Sequence, residues 1–139
     1  INFPLLRYSD ILLMNAEAEN EVNHGPNDLA YECINAVRER AGINKLPTNL
    51  DETGFRKAIK DERAMELCFE YTRRFDLIRW GDYYKLMQEQ VDKAQADESW
   101  KFGINVYTYF NIPKSYNYFP IPANEIGSNG AIKTNNPGW

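Results

Sequence analysis

Apolar residues return at helical spacing through the first two-thirds of the chain. Ile11, Met14, Ala18 and Val22 recur at i, i+3, i+7 and i+11, the spacing of one helix face, and predict a helix over residues 9–24. Gly25-Pro26 breaks that pattern, and Asn27 has the side chain to cap a second helix, 27–41, which carries Ala30, Cys33, Ile34, Val37 and Ala41 and stops at Gly42. Two antiparallel helices joined by a short turn follow. Past a loop through Pro47, Asp51 is placed to cap a third helix, 51–70, with Phe55, Ala58, Ile59, Met65 and Phe69 on its inner face. In a fourth, 73–96, Leu77, Trp80, Tyr84, Met87 and Val91 line one side while Phe75, Ile78 and Leu86 cluster on another, the pattern of a helix packed between neighbours.

After Ser99 the period disappears. Aromatics separated by Asn, Pro and Gly run to Trp139, which reads as an extended segment over 97–139 wrapped on the helices, with a short hairpin expected near 106–110. The fold class is all-α: stacked helical hairpins of tetratricopeptide-like character, without an alignable repeat consensus of roughly 34 residues.

Composition narrows the function. At 139 residues, 43% hydrophobic and 26% charged, the chain is one ordinary globular domain in size and content. Its net charge is −4 and no stretch interleaves Lys and Arg with aromatics, so nucleic acid is not the expected partner. The longest aliphatic run, Ile11 to Met14, falls far short of the roughly 20 apolar residues that span a bilayer. Cys33 and Cys68 sit in separate helical patterns and read as packed thiols rather than a bridge.

Candidate chemistry gathers on the third helix. Glu62 falls among Phe55, Ile59, Met65 and Phe69, with Glu66 beside it, so both carboxylates point inward and need cations; Arg63, Arg73, Arg74, Arg79 and Arg38 are at hand. The expectation is a structural ion-pair network of Glu62, Glu66, Glu70, Arg63, Arg73, Asp76 and Arg79. Two carboxylates one turn apart also suit a general acid and base, but guanidinium partners keep both ionised and no Ser, His or Cys accompanies them as nucleophile. No enzyme is expected. The one histidine, His24, lies at a helix end as a cap or surface group rather than a ligand, so no metal is expected, and phosphate-cradle, dinucleotide and hydrolase-elbow motifs are lacking, so no cofactor is either.

Several separated motifs carry a family resemblance. The opening Pro4-Leu5-Leu6-Arg7-Tyr8-Ser9-Asp10 through Ala18, the hairpin end Ala36-Val37-Arg38-Glu39-Arg40-Ala41-Gly42, and Glu62-Arg63, Glu66-Leu67, Phe69-Glu70, Arg73 and Phe75-Asp76-Leu77-Ile78-Arg79-Trp80-Gly81 resemble, in order, the carboxy-terminal region of the SusD/RagB family. Phe119-Pro120-Ile121-Pro122, Glu125-Ile126 and Asn136-Pro137-Gly138-Trp139 are similar to its tail. Tyr71-Thr72 departs from it, standing where the family commonly has Gly and a polar residue.

The resemblance implies a surface lipoprotein that holds nutrients, mostly oligosaccharides, for a TonB-dependent SusC-like transporter in the bacterial outer membrane. It implies that residues 1–139 are a fragment, with the signal peptide and lipid-bearing Cys upstream as the only membrane attachment. It also makes the shared motifs scaffold. Pyranose rings stack apolar faces on aromatics and bond their hydroxyls to amides, so the segment outside the motifs supplies the candidate ligand contacts: Trp100, Asn105, Tyr107, Tyr109 and Asn111. On the hairpins alone, the alternative is an intracellular helical-repeat adaptor that binds peptides in a groove.

Overall fold

A computed structural model of the chain describes residues 6–96 and 110–139. These residues form helices with no strand among them, in two compact units, 1–73 and 74–139.

The first unit is a three-helix packing of α1 (Tyr8–Val22), α2 (Asp28–Arg40) and α3 (Glu52–Glu66). Asn27 Oδ1 accepts the Ala30 amide at 2.9 Å and Asp51 Oδ1 the Gly54 amide at 2.7 Å, so both later helices start on side-chain caps. At the end of α2, Gly42 (φ 73°) donates to Glu39 O and Ile43 to Arg38 O, the paired bonds of a left-handed helix stop. His24 (φ 55°) occupies the equivalent position after α1, exposed, with Gly25 donating to Asn20 O.

Leu13 and Ala16 of α1, Ala30, Cys33, Ile34 and Val37 of α2, and Phe55 and Ile59 of α3 make one buried cluster, with Tyr31 edge-on to Phe55 at 4.9 Å. The stripe expected to seal α1 is on its other side. Ile11 and Met14 are 41% and 40% exposed and Val22 is 77% exposed, while Ser9, Leu13, Ala16 and Asn20 face inward. Both faces of this helix carry apolar residues, and spacing alone does not say which one meets α2 and α3.

Helix α3 ends at Glu66, four residues short of the expected 70, so Phe69 falls outside it and is 92% exposed, while Met65, still within the helix, is 60% exposed and does not belong to the buried face of Phe55, Ile59 and Glu62. Cys68 is exposed too, a correction to its expected packing, whereas Cys33 is buried, and both thiols are free. Phe69 (φ 65°) and Tyr71 (φ 61°) both take the left-handed conformation, with Glu70 between them.

The second unit corrects the expected single helix 73–96, which is two: α4 (Arg73–Arg79) and α5 (Tyr83–Ala96). Gly81 (φ 76°) donates to Ile78 O and Asp82 to Leu77 O, the same stop that closes α2, so the apolar stripe is interrupted within it. Its buried apolar residues among those described are Leu77, Val91 and Ala94, and the rest of the packing is aromatic. Phe75 stacks on Phe119 at 5.9 Å, and the Arg74 guanidinium lies over Phe119 (4.9 Å) and Tyr83 (5.3 Å). A 3-10 turn (Lys114–Asn117) packs against α5, and a short helix α6 (Ala123–Ser128) follows.

The left-handed conformation costs a side-chain-bearing residue about 1–2 kcal/mol, and glycine's extra freedom in the unfolded chain returns about 0.5–1 kcal/mol of that. Tyr71 is 81% exposed, so it offsets little of this by burial. Tyr71→Gly relieves that strain, and any gain in thermal unfolding is expected to stay below about 1 kcal/mol because the substitution also removes the Tyr71 side chain's own contact.

Candidate functional site

Two places concentrate polar chemistry: a charged seam in the first unit and an aromatic, asparagine-rich tail in the second.

The seam is organised by Arg7, the residue before α1. Its guanidinium donates to Glu66 Oε1 at 2.9 Å, to the Glu66 carbonyl at 2.8 Å and to both Glu70 oxygens at 2.9 and 2.6 Å. Glu66 also takes Arg40 from the end of α2. One turn earlier the buried Glu62 pairs with Arg38 at 2.6 Å, and the buried Arg63 turns the other way to Asp10 of α1 at 2.8 Å. Each of the three helices therefore sends charge into one line of contacts along α3.

These pairings set protonation. Burial disfavours the Glu66 carboxylate, but the Ser9 hydroxyl, Arg7 and Arg40 outweigh it and hold its pKa below the ordinary value. The hydrogen bonds that Arg7 donates to Glu70, and then to Glu66, raise its own pKa despite its partial burial. Near neutral pH Glu66 carries no proton to give, and Glu62 is held by its own guanidinium, so what this arrangement does chemically is clamp helices.

Of the other residues assigned to the network, Arg73 donates to the Lys60 carbonyl at 3.1 Å, and Asp76, buried, pairs with Arg79 at 3.0 Å within α4. Arg79 also stacks over Trp80 at 4.7 Å. Sequence reasoning missed Arg7, Arg40 and Asp10 as partners. Arg7 precedes the helix and is invisible to periodicity; its only signal was its place in the opening motif.

Of the candidate ligand contacts, Trp100, Asn105, Tyr107 and Tyr109, like residues 106–109 of the expected hairpin, lie outside the described residues, and Asn111 is exposed. Downstream, asparagine side chains stand in for a missing strand. Asn135 bonds both the amide (2.7 Å) and the carbonyl (3.3 Å) of Ile121, and Asn136 donates to Phe119 O at 2.6 Å. Trp139 stacks on Tyr116 at 5.2 Å and donates from Nε1 to Ser115 O at 3.2 Å. A Cβ at Gly138 would lie 2.4 Å from Ser115 Cβ, so only glycine fits there. Lys114, Ser115, Asn117, Tyr118, Pro137 and Gly138 line an open cleft of about 330 Å³, in which the Asn117 amide oxygen is buried without a partner and Tyr118 is half exposed. An aromatic face, an amide and an ammonium around a ring-sized space suit a small polar ligand.

Removing Arg7 leaves Glu66 and Glu70 facing one another with their shared donor gone. Arg7→Met is expected to destabilise by about 2–3 kcal/mol in urea unfolding, and Glu70→Gln, which leaves Arg7 on Glu66, by about 1 kcal/mol. Glu66 and Glu21, the latter held down chiefly by the hydrogen bond from Arg56, both have folded pKa values below those of the unfolded chain. Their contribution is therefore complete above the unfolded glutamate value of about 4.3 and lost as pH falls through the lower folded values. The urea midpoint is expected to drop as pH is taken from about 5 to 3, and Arg7→Met to flatten that drop.

The SusD family model matches residues 1–139. Among reviewed relatives, a SusD-like protein of Formosa agariphila is 38% identical over 92% of this chain, and the starch-binding protein SusD of Bacteroides thetaiotaomicron is 29% identical over 96% of it. A crystal structure of a SusD homologue from Bacteroides thetaiotaomicron superposes with a TM-score of 0.80 at 42% identity over 97% of this chain. Another, of a SusD superfamily protein from Bacteroides vulgatus, gives 0.66 at 30% identity over 96%. The chain spans 22% and 21% of the lengths of the two relatives and 26% and 27% of the two solved chains. With the helical hairpins and the family match both in place, this chain belongs to the SusD family.

Proposed function

We propose that the chain is the carboxy-terminal part of a surface nutrient-binding lipoprotein that captures glycans without transforming them and passes them to a TonB-dependent, SusC-like outer-membrane transporter. The observation that carries this reading is the family match across residues 1–139 together with a relative named for starch binding. No helix among the described residues is long and apolar enough to cross a membrane, which agrees with attachment through a lipid anchor outside these residues.

The best-matched motifs engage their charges in clamping helices, so ligand contacts within this stretch fall to residues between them: Trp100, Asn105, Tyr107, Tyr109 and Asn111. Aromatic faces take the CH faces of a pyranose and amides take its hydroxyls. The cleft at Tyr118 continues the same chemistry.

Native gel electrophoresis of the full-length protein through gels cast with starch and with other polysaccharides tests the reading. Retardation by at least one glycan is expected, reduced in a Trp100→Ala, Tyr109→Ala double variant that keeps its melting temperature. Free migration in every gel, with a blank glycan array, would discard glycan capture. Undiminished retardation of the double variant would remove those two contacts alone.

A further inference from the structure

The chain holds one Asn-Gly pair, Asn129-Gly130, and both residues are exposed in the turn that follows α6. The fold does not call for glycine there. Gly25, Gly42, Gly81 and Gly138 take a positive φ, whereas Gly130 does not, and a Cβ placed on it would meet nothing within 4 Å. What the missing side chain does provide is an unshielded backbone nitrogen directly after an asparagine.

The Asn129 side chain is already folded over that nitrogen. Its Oδ1 accepts the Ala131 amide at 3.1 Å, and the Gly130 nitrogen is a member of the ring that this bond closes. The same bond draws electron density off the side-chain carbonyl carbon and puts a donor where negative charge gathers on the oxygen during attack. Nδ2 donates to Glu125 Oε1 at 3.2 Å, which holds the amide from the helix side. The Asn129 amide donates to Glu125 O at 2.9 Å and its carbonyl accepts the Ile132 amide at 3.0 Å, so the turn is fixed at both ends.

We propose that Asn129 is a site of self-modification, converting through a cyclic imide with Gly130 to isoaspartate and aspartate without any enzyme. The Gly130 nitrogen loses its hydrogen to solvent and bonds Cγ of Asn129; the Cγ–Nδ2 bond breaks, and Nδ2 takes up a proton and departs as ammonia. Water then opens the ring. Addition at Cγ yields aspartate, and addition at the Asn129 main-chain carbonyl yields isoaspartate, in which the chain runs through the former side chain. Both products gain a negative charge and lose the amide donor that faced Glu125, at the end of α6 where the helix dipole disfavours such a charge. Isoaspartate also lengthens the backbone by one carbon within the turn. The inference does not depend on glycan binding.

The test is to hold full-length protein at physiological temperature and neutral pH, digest it with trypsin, and sequence peptide 115–133 by electron-transfer fragmentation, which separates isoaspartate from aspartate. Asn117, Asn124 and Asn135 serve as internal standards, since the nitrogen after each belongs to a residue with a side chain, Tyr118, Glu125 and Asn136. Asn129 is expected to convert at least roughly tenfold faster than any of them, to a mixture containing isoaspartate. The rate should be higher in mildly alkaline than in mildly acidic buffer, because the attacking nitrogen must lose a proton. Gly130→Ala, which the fold has room for, is expected to slow conversion by a similar factor without lowering the melting temperature. An Asn129 that stays intact, or converts no faster than Asn124, overturns the inference. Conversion to aspartate alone, or an unchanged rate in Gly130→Ala, marks direct hydrolysis and overturns it as well.

Discussion

A single guanidinium shared by two carboxylates holds the first unit in register. Arg7 is separated from Glu66 and Glu70 by 59 and 63 positions, yet it binds both side chains and the Glu66 carbonyl. Bidentate geometry fixes direction as well as distance, so the entry to α1 is set against the exit of α3. Hydrophobic packing of Leu13, Ala30, Ile34 and Phe55 brings the helices together without directional preference; the clamp selects one rotation of α1 among those that an apolar helix would accept.

That division of labour explains why the most recognisable residues of the family are unpromising ligand groups. Glu62, Arg63 and Glu66 are spaced to meet Arg38, Asp10 and Arg7 on the neighbouring elements, and substitution of any one strands a charge in a half-buried place. Such residues are held by the fold.

The second unit reaches order by other means. With Leu77, Val91 and Ala94 as its buried apolar residues among those described, it relies on stacked rings, a guanidinium over Phe119, and asparagine amides that supply the Phe119–Ile121 backbone with the hydrogen bonds a strand would have given. Much of the helical architecture was legible in the sequence, because caps and stops have local chemistry: Asn27, Asp51 and Gly42 mark their helices directly. Gly81 was readable for the same reason but was hidden inside an apolar stripe that runs past it on both sides. The outward face of α1 and the role of Arg7 were not legible, since each depends on which neighbour a residue meets across some sixty positions.

The asparagine strap has a chemical side. Asparagine ages when the following backbone nitrogen attacks its side-chain amide and closes a ring, and the product carries a charge where an amide had bonded. Asn136, which holds Phe119 O, is followed by Pro137, whose nitrogen has no hydrogen to lose in that attack. The proline therefore also shields the Asn136 bond, whereas Asn135, which holds Ile121 and is followed by Asn136, keeps an ordinary backbone nitrogen next to it, so slow conversion would loosen the strap at Asn135 first.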